Sequence, residues 1–366
     1  MTRSSPSPPD AGLALLRDLA AAPRPTGTAA IAGARSRVAA ELGGLGFAVH
    51  EEPFRYSAWP GRFGTPAIGA GIAALAAVAG HVGSRTGGAM PLAILAGGGL
   101  VLFLAARWLM RTGVTGMSLM RSAGVNLVAQ RGRDAPQLWL CAHLDSKSQP
   151  VPSFLRMAGV VVTAGGLLAL FALAGASAVG MAAPFAAWGA ATAVTLAGTM
   201  PVVLSVVGAD SPGALDNASG VATVVEAARQ LARGDRVGVL ITDAEELGLA
   251  GALAWGRANP GSVVLNCDGV DDHGANVVMY SANPPERLLH AARASGAAPR
   301  RMPPGLLTDS VAFSLTGSQS VTFSRGTYAS LLRVHRRADS LDRLSGAGIA
   351  SASTLMAATA RELLRS

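Results

Sequence analysis

Several histidine and carboxylate residues stand where strand-like runs of the sequence end. Glu245 and Glu246 are adjacent and follow the apolar run "RVGVLI" within "ITDAEELGLAG". His143 and Asp145 close the run "LWLCAHLDS", and residues two positions apart on a strand point to the same face. Further residues of these types stand in "ALDNASG", "VVLNCDG" and "RVHRRADSLD", namely Asp216, Asp268, His335 and Asp339. Ligands bind beyond the carboxyl ends of the strands in an open α/β sheet, so we expect these side chains to gather there.

A cluster of this composition requires a positive partner. Two imidazoles and four or more carboxylates in one place repel one another, and several would be forced to take up protons. A divalent metal ion removes this repulsion. Mixed nitrogen and oxygen ligands suit zinc, and a carboxylate can bridge two ions. The residues therefore predict a zinc site at one edge of a sheet.

Strand-like and helix-like segments alternate along most of the chain. Helix-like segments separate several of the predicted strands, which are "FAVHEEPF", "GVNLVAQRG", "PQLWLCAHLDS", "RVGVLITDAEE", "SVVLNCDG" and "SVTFSRG". The last predicted helix is Leu344–Leu364. This alternation predicts an α/β fold in which a mixed, mainly parallel central sheet is flanked by helices.

Two blocks of the chain are too apolar for such a domain alone. Half of all residues are apolar, and the mean hydropathy is +0.38. Arg85 is the only charged residue between Arg62 and Arg107, and the range 157–209 contains none. A helix of about 20 apolar residues crosses a bilayer, and small residues let such helices pack closely. We predict four transmembrane helices in two hairpins, with the spans Pro66–Gly83, Ala89–Ala106, Ala158–Gly175 and Pro184–Val206. The alternative is a set of buried alanine-rich helices in a soluble protein.

The distribution of basic residues predicts partners and an orientation. Arg85 alone lies at the hairpin tips, whereas the other ends of the spans are flanked by Arg55, Arg62, Arg107, Arg111, Arg121, Lys147 and Arg156. Positive residues stay on the cytoplasmic side. We therefore expect a multi-pass protein of the cell (plasma) membrane, with the lipid bilayer as a partner. The N-terminus, the segment 108–156 and all residues after 208 should lie in the cytoplasm. The net charge is +8, but no basic run is interleaved with aromatic residues, so nucleic acid is not expected as a partner.

The N-terminus and the cysteines carry no predicted site. Residues 1–9 are polar and proline-rich, so we expect them to be disordered. No apolar segment follows a basic start there, which argues against a cleaved signal peptide. Cys141 and Cys267 are too few for a disulfide framework, and we expect buried free thiols.

Five motifs, in this order, resemble those of a known enzyme family. "AHLDS", "LDNASG", "DAEELGLAG", "NCDG" and "VHRRADSLD" are similar to the motifs of the di-zinc aminopeptidases of the aminopeptidase Y and bacterial leucyl aminopeptidase type, in the zinc exopeptidase superfamily. The resemblance covers about 10–56, 124–150 and 209–366. It implies a zinc peptidase domain made of 10–62, 108–156 and 209–366. Transmembrane hairpins at 66–107 and 157–208 would be inserted into this domain.

The resemblance also implies the ligands of two zinc ions. His143 and Asp268 would hold one ion, Glu246 and His335 would hold the other, and Asp216 would bridge the two. Ligands of these types suit zinc, which favours imidazole nitrogen and carboxylate oxygen over oxygen alone.

Two further residues have implied roles beside the metal ions. Asp145 would orient His143 through a hydrogen bond. Glu245 would be the general base, which takes a proton from a water activated by the two ions and passes it to the leaving amine. The implied function is hydrolysis of the N-terminal residues of peptides, so the expected substrate is a peptide.

The sequence departs from the family at two places. Some members have a tyrosine before a Ser-Asp element, where it can stabilise the oxyanion, but here "PPGLLTDS" has Leu306 and Leu307 instead. Tyr328 is one candidate replacement, and zinc acting alone is the other. The second departure is the hairpin between His143 and Asp216, where the family has a short loop. For Asp309, which belongs to the Ser-Asp element, an N-cap role is sufficient.

Two alternative functions remain open at this point. Glutaminyl cyclisation uses a similar scaffold with one zinc ion, and the complete ligand set favours two. A non-catalytic membrane receptor or scaffold on the same fold is the other alternative. The complete ligand set argues against it, because proteins that have lost activity usually lose some of the ligands. Residue preference at the cleaved end and oligomeric state do not follow from the sequence.

Overall fold

The computed structural model describes residues 8–281, 283–303 and 305–365. The described residues include the strands β1 (Ala48–Ser57), β2 (Arg121–Gln130), β3 (Leu138–His143), β4 (Val237–Thr242), β5 (Val263–Val270), β6 (Ala275–Tyr280), β7 (Pro299–Arg301) and β8 (Gln319–Gly326). Their α-helices are α1 (Pro8–Leu19), α2 (Ala29–Gly44), α3 (Thr65–Thr86), α4 (Met90–Trp108), α5 (Val114–Gly116), α6 (Ser153–Ala178), α7 (Phe185–Val203), α8 (Ser219–Gln230), α9 (Ala250–Ala258), α10 (Glu286–Ala294), α11 (Asp309–Leu315), α12 (Tyr328–Leu331) and α13 (Ala347–Arg365).

The chain divides into two compact units. The sheet unit consists of the described residues up to Ser57, Met120–Ser148 and the residues from Ala209 onward. The helical unit consists of Ala58–Leu119 and Gln149–Gly208. Of the range predicted to be disordered, residues 1–7 lie outside the described residues, and α1 begins at Pro8.

The sheet unit contains one eight-stranded sheet in its described residues, with the order β1-β2-β4-β3-β5-β8-β6-β7. The pairs β3–β4, β3–β5, β5–β8 and β6–β7 are parallel, and the others are antiparallel. This confirms the predicted mixed, mainly parallel sheet. The strands β6 and β7 were not predicted, because their segments are short or partly exposed and show weak periodicity. Pro53 lies in β1, where an edge strand tolerates the missing N–H group.

Helices cover both faces of the central strands. Alternate residues of β3 point to opposite faces. Leu138 and Leu140 join the core beneath α1, α8 and α13, whereas Trp139 makes an edge contact with Trp255 of α9 at a centroid distance of 5.0 Å. Phe313 of α11 continues this aromatic stack at 5.8 Å from Trp255. Parallel strands require burial on both faces, and this arrangement provides it.

Both insertions into the sheet unit leave and re-enter at neighbouring residues. The first lies between β1 and β2, where Ser57 is paired with Arg121 across the strands. The second lies between Ser148 and Ala209, and the N–H group of Asp210 donates to the Ser148 hydroxyl at 2.9 Å. Each insertion therefore replaces a loop and leaves the register of the sheet unchanged.

Four helices of the described residues are long and apolar enough to cross a membrane. They are Pro60–Thr86, Met90–Gly116, Ser153–Ala178 and Phe185–Val203, and each contains most of one predicted span. Length and composition alone support this assignment. A small apolar core joins these helices and includes Leu95, Leu170 and Trp188.

Glycine lets α6 and α7 approach closely. A Cβ atom added at Gly198 would lie 2.5 Å from the backbone nitrogen of Thr163, and one at Gly166 would lie 2.8 Å from that of Thr195. A Cβ atom added at Gly165, the residue before Gly166 on α6, would have no atom within 4 Å. The backbone of α7 cannot yield as a flexible side chain can, so the packing requires glycine at 166 and not at 165.

These two adjacent glycines give a matched stability test. We expect Gly166→Ala to destabilise the protein by roughly 1–3 kcal/mol through overpacking. Gly165→Ala should leave the thermal midpoint in detergent unchanged or raised, because alanine favours a helix over glycine. Equal midpoints for the two variants would show that α6 and α7 do not pack through Gly166.

Candidate metal centre

His143 is the last residue of β3, so its side chain lies at the carboxyl edge of the sheet. Its Nδ1 atom donates to the backbone carbonyl of Asp145 at 3.1 Å, because a carbonyl can only accept. In the neutral ring, the Nε2 atom then carries the free lone pair. It lies 3.1 Å from Oδ1 of Asp216 and 3.7 Å from Oδ1 of Asp268. The predicted neighbours of His143 are thus brought together by the fold.

Asp216 stands in the turn before α8 and connects the two histidines. Its Oδ2 atom lies 2.9 Å from Nε2 of His335. The backbone N–H groups of Leu215 and Asp216 donate to the carboxylate of Asp339 at 2.6 and 3.1 Å. Asp339 therefore fixes the backbone that carries the candidate bridging ligand.

Asn217 fastens the same turn to β5. Its amide nitrogen donates to the carbonyl of Cys267 at 2.9 Å, and its Oδ1 atom accepts from the N–H group of Gly269 at 3.2 Å. These two residues flank Asp268. Asp216 and Asp268 thus lie in segments that are tied to each other.

Asp145 holds the adjacent glutamates. Its two carboxylate oxygens accept from the backbone N–H groups of Glu245 and Glu246 at 3.0 and 3.1 Å. Its Oδ1 atom is 3.6 Å from Nδ1 of His143, which is farther than the backbone carbonyl that accepts from this nitrogen. His143 is therefore oriented by the backbone carbonyl of Asp145, where its carboxylate was predicted to act. The Asp145 carboxylate instead fixes the turn that carries Glu245 and Glu246.

The glutamate turn and the His335 loop adopt unusual backbone conformations. Ala244 and Leu249, which flank the turn, have φ angles of 58° and 60°, and His335 has 63°. The Nε2 atom of His335 lies 3.4 Å from Oε1 of Glu246. Non-glycine residues at such angles cost about 1–2 kcal/mol each, so the surrounding contacts must hold them.

Two groups of candidate ligands share Asp216. One is His143, Asp216 and Asp268, and the other is Asp216, Glu246 and His335. The ligand atoms within each group lie within 4.8 Å of one another. Among the described residues, Oε1 of Glu246 is a buried atom without a hydrogen-bond partner. Burying an unpaired carboxylate oxygen is costly, and a cation removes this cost. The donors thus fit zinc in number and type.

Burial and charge shift the titration of the central residues. Burial raises the pKa of Glu245 well above its usual range, which the charge of His143 partly opposes. Burial also acts to raise the pKa of Glu246, but the charges of Lys147 and His335 prevail and lower it to about 2. Burial opposes the charged form of His143, yet the neighbouring carboxylates, Glu245 foremost, raise its pKa well above the usual value. The two adjacent glutamates therefore differ: Glu246 is ionised, and Glu245 has high proton affinity.

Lys147 was not predicted as a site residue. It is the only lysine of the chain, and its ammonium forms an ion pair with Oε2 of Glu246. Its position two residues after Asp145 was the available sequence signal. The orientation prediction counts Lys147 only among the basic residues that flank the spans.

Arg24 is a second residue that the sequence did not reveal. It lies in "RPTGT" and is only 1% exposed. Its guanidinium donates to the carbonyls of Leu144, Pro212 and Gly213 at 2.9, 2.7 and 3.0 Å, and also to that of Leu19. It thus joins the end of α1 to the segments that precede Asp145 and Asp216.

Two residues discussed for the family's Ser-Asp element differ from expectation. Asp309 is the first residue of α11, but the N-cap position belongs to Thr308. The Asp309 carboxylate is fully buried, accepts from the Thr242 hydroxyl, and has its pKa raised to about 7 by burial. Tyr328, the candidate oxyanion donor, lies on α12 and is 68% exposed.

Known proteins resemble this chain both in sequence and in fold. Residues 199–360 match the family model described as Peptidase family M28. The aminopeptidase from Aneurinibacillus sp. strain AM-1 superposes with a TM-score of 0.57 at 13% identity, over 96% of this chain and 92% of that one. The fold is that of the zinc aminopeptidases.

Two further structures are similar to the same extent. The zinc aminopeptidase from Bacillus subtilis has a TM-score of 0.55 at 14% identity, over 98% of this chain and 95% of its own. The glutaminyl cyclase from Fimbriiglobus ruber has 0.55 at 14%, over 99% and 97%. No curated protein matches the chain in sequence. The chain is therefore similar to M28 peptidases over residues 199–360, and it shares its fold with zinc aminopeptidases and a glutaminyl cyclase.

Arg24 gives a test of how the centre is held together. We expect Arg24→Met to reduce the free energy of unfolding by about 3 kcal/mol or more, because buried carbonyls lose their donors. Chemical denaturation measures this value. Arg17→Met removes an exposed arginine from α1 and should change the stability by less than about 0.5 kcal/mol. Equal stability of the two variants would contradict the role assigned to Arg24.

Proposed function

We propose that the protein is a membrane-anchored, zinc-dependent aminopeptidase that hydrolyses N-terminal residues of peptides with two zinc ions. The observation that carries the proposal is the pair of ligand groups that share Asp216, with Glu245 beside Glu246 in the same turn. His143 and Asp268 would hold one ion, Glu246 and His335 the other, and Asp216 would bridge them. The chain resembles M28 peptidases in sequence over residues 199–360, and zinc aminopeptidases are among the proteins that share its fold.

Glu245 is the proposed general base. Bound zinc supplies Lewis acidity, which polarises a carbonyl and lowers the pKa of water. Glu245 takes the proton of the attacking water and delivers it to the leaving amine. Burial raises the pKa of this carboxylate, so it holds a proton more firmly than an exposed glutamate does. The hydrogen bond from its own N–H group to Asp145 fixes its backbone beside the ligands.

Glutaminyl cyclisation is the second candidate. Glutaminyl cyclases from Fimbriiglobus ruber and Bacteroides thetaiotaomicron are among the similar structures. We nevertheless favour peptide hydrolysis, because both ligand groups are complete. The group of His143, Asp216 and Asp268 could hold a second ion, which a one-zinc cyclase does not need.

Replacement of the proposed base gives the central test. Glu245→Gln should remove nearly all peptide hydrolysis, at least about 100-fold, because general acid–base groups contribute 10² or more. Zinc content by elemental analysis should stay at two per chain. Glu52→Gln, a partly exposed glutamate of β1, is the control and should keep full activity.

The assay itself distinguishes the candidates. A peptide library digested with and without chelator should lose single N-terminal residues only when metal is present. If the Glu245→Gln variant still hydrolyses peptides at the wild-type rate, Glu245 is not the general base. Formation of pyroglutamate from N-terminal glutamine, with one zinc per chain and no hydrolysis, would establish the cyclase instead.

The exposed surface of the helical unit supports membrane anchoring. Its helices expose large apolar side chains, including Val101, Phe103, Val161 and Leu168, each at 63–71%. Water solvates such side chains poorly, whereas lipid tails accommodate them. The basic residues that flank the spans favour a plasma membrane protein whose sheet unit is cytoplasmic.

Cysteine labelling tests this orientation. Arg85 and Arg133 are both exposed. Arg85 lies in the last turn of α3, at the end of a candidate span, and Arg133 lies between β2 and β3. We expect Arg85→Cys to react with an impermeant maleimide on intact cells, and Arg133→Cys to react only after permeabilisation. The native cysteines are buried and serve as the background. The reverse pattern would invert the topology, and release of the protein by alkaline washing would refute the anchoring.

A further inference from the structure

The basic residues of this chain are arginines with one exception. Of 30 lysine and arginine residues, only Lys147 is lysine. It follows β3 within "HLDSKS", and its side chain is 17% exposed. A chain whose other basic side chains of these two types are all arginines places its single lysine at the candidate metal centre.

The carboxylate of Glu246 has two oxygens with different surroundings. Oε2 forms the ion pair with Lys147. Oε1 lies 3.4 Å from Nε2 of His335, is buried, and has no hydrogen-bond partner among the described residues. Oε1, the oxygen that faces the candidate ligand His335, is thus the one that does not pair with Lys147.

The chemistry of the ammonium explains why lysine suits this place. An ammonium is a compact point charge that can pair with one oxygen, whereas a guanidinium is a planar fork that binds both oxygens of a carboxylate. An arginine at 147 would therefore compete for Oε1. A neutral residue would leave Oε2 open to the metal ion as a second ligand atom.

We propose that Lys147 is a positioning residue that occupies Oε2 of Glu246 and reserves Oε1 for the ion held with Asp216 and His335. This inference rests on the proposed metal centre. Lys147 acts through Glu246 and need not touch the substrate. It determines how many oxygens Glu246 offers to the ion.

Cobalt substitution tests the inference without relying on activity. Metal-free full-length protein in detergent is titrated with Co²⁺, and the visible spectrum and the affinity against a competing chelator are recorded. Lys147→Met should still bind two ions but with a weaker visible absorption, because a further oxygen raises the coordination number of one ion. Lys147→Arg should lower the affinity for one of the two ions by about 10–100-fold, as changes to residues behind metal ligands do.

A matched variant controls for general effects. Arg37→Met removes a basic residue whose ion-pair partners are Asp18 and Glu41 on the first two helices. It should reproduce the spectrum and both affinities of the wild type. If both Lys147 variants also match the wild type, the inference is overturned while the metal centre stands. If the wild type binds no metal, the proposed function fails first.

A second measurement uses the wild-type sequence, so it tests the inference even if the Lys147 variants do not fold. Reductive ¹³C-methylation modifies only Lys147 and the terminal amine, because the chain has no other lysine. The dimethylated ammonium keeps its charge. We expect its NMR signal to shift when the ion bound through Glu246 is added. A signal that is identical in metal-free and metal-loaded protein would overturn the inference.

Discussion

Each carboxylate buried at the carboxyl edge of the sheet must be matched by an N–H group or a positive charge, and this requirement shapes the segments around it. Asp145 accepts from two N–H groups of the glutamate turn, and Asp339 accepts from two of the turn before α8. Lys147 matches one oxygen of Glu246. Asp216, Asp268 and the remaining oxygen of Glu246 face the two histidines, and this remainder is what a pair of zinc ions would satisfy.

The same requirement brings distant parts of the chain together. Arg24 donates to the carbonyls of Leu144 and Gly213, which are 120 and 189 residues away in sequence. The segment after α1 therefore ties together the two segments that carry Asp145 and Asp216. Gly213 has a positive φ of 60°, and a Cβ atom there would lie 2.5 Å from the carbonyl oxygen of Asp216. The close approach of these segments thus depends on a buried cation and on the absence of a side chain.

The position of the two insertions explains how the sheet unit tolerates them. The first joins two antiparallel neighbours whose ends remain paired at Ser57 and Arg121. The second opens after Ser148, whose hydroxyl binds the N–H group of Asp210 where the chain returns. The two ends of each insertion are thus held close together within the sheet unit. All five candidate ligands belong to the sheet unit.

Residue type and order alone determined the candidate ligands, the sheet class and the four apolar helices. Those properties are local: a histidine, an aspartate and a run of 20 apolar residues have the same chemistry wherever the chain places them. Only the tertiary structure decided the partners of Asp145 and Glu246, the buried position of Arg24, and the strands β6 and β7. Each depends on groups that are far apart in sequence, such as Asp145 and Glu245, which are 100 residues apart. Side-chain periodicity carries no record of such contacts, because they arise only when the strands align.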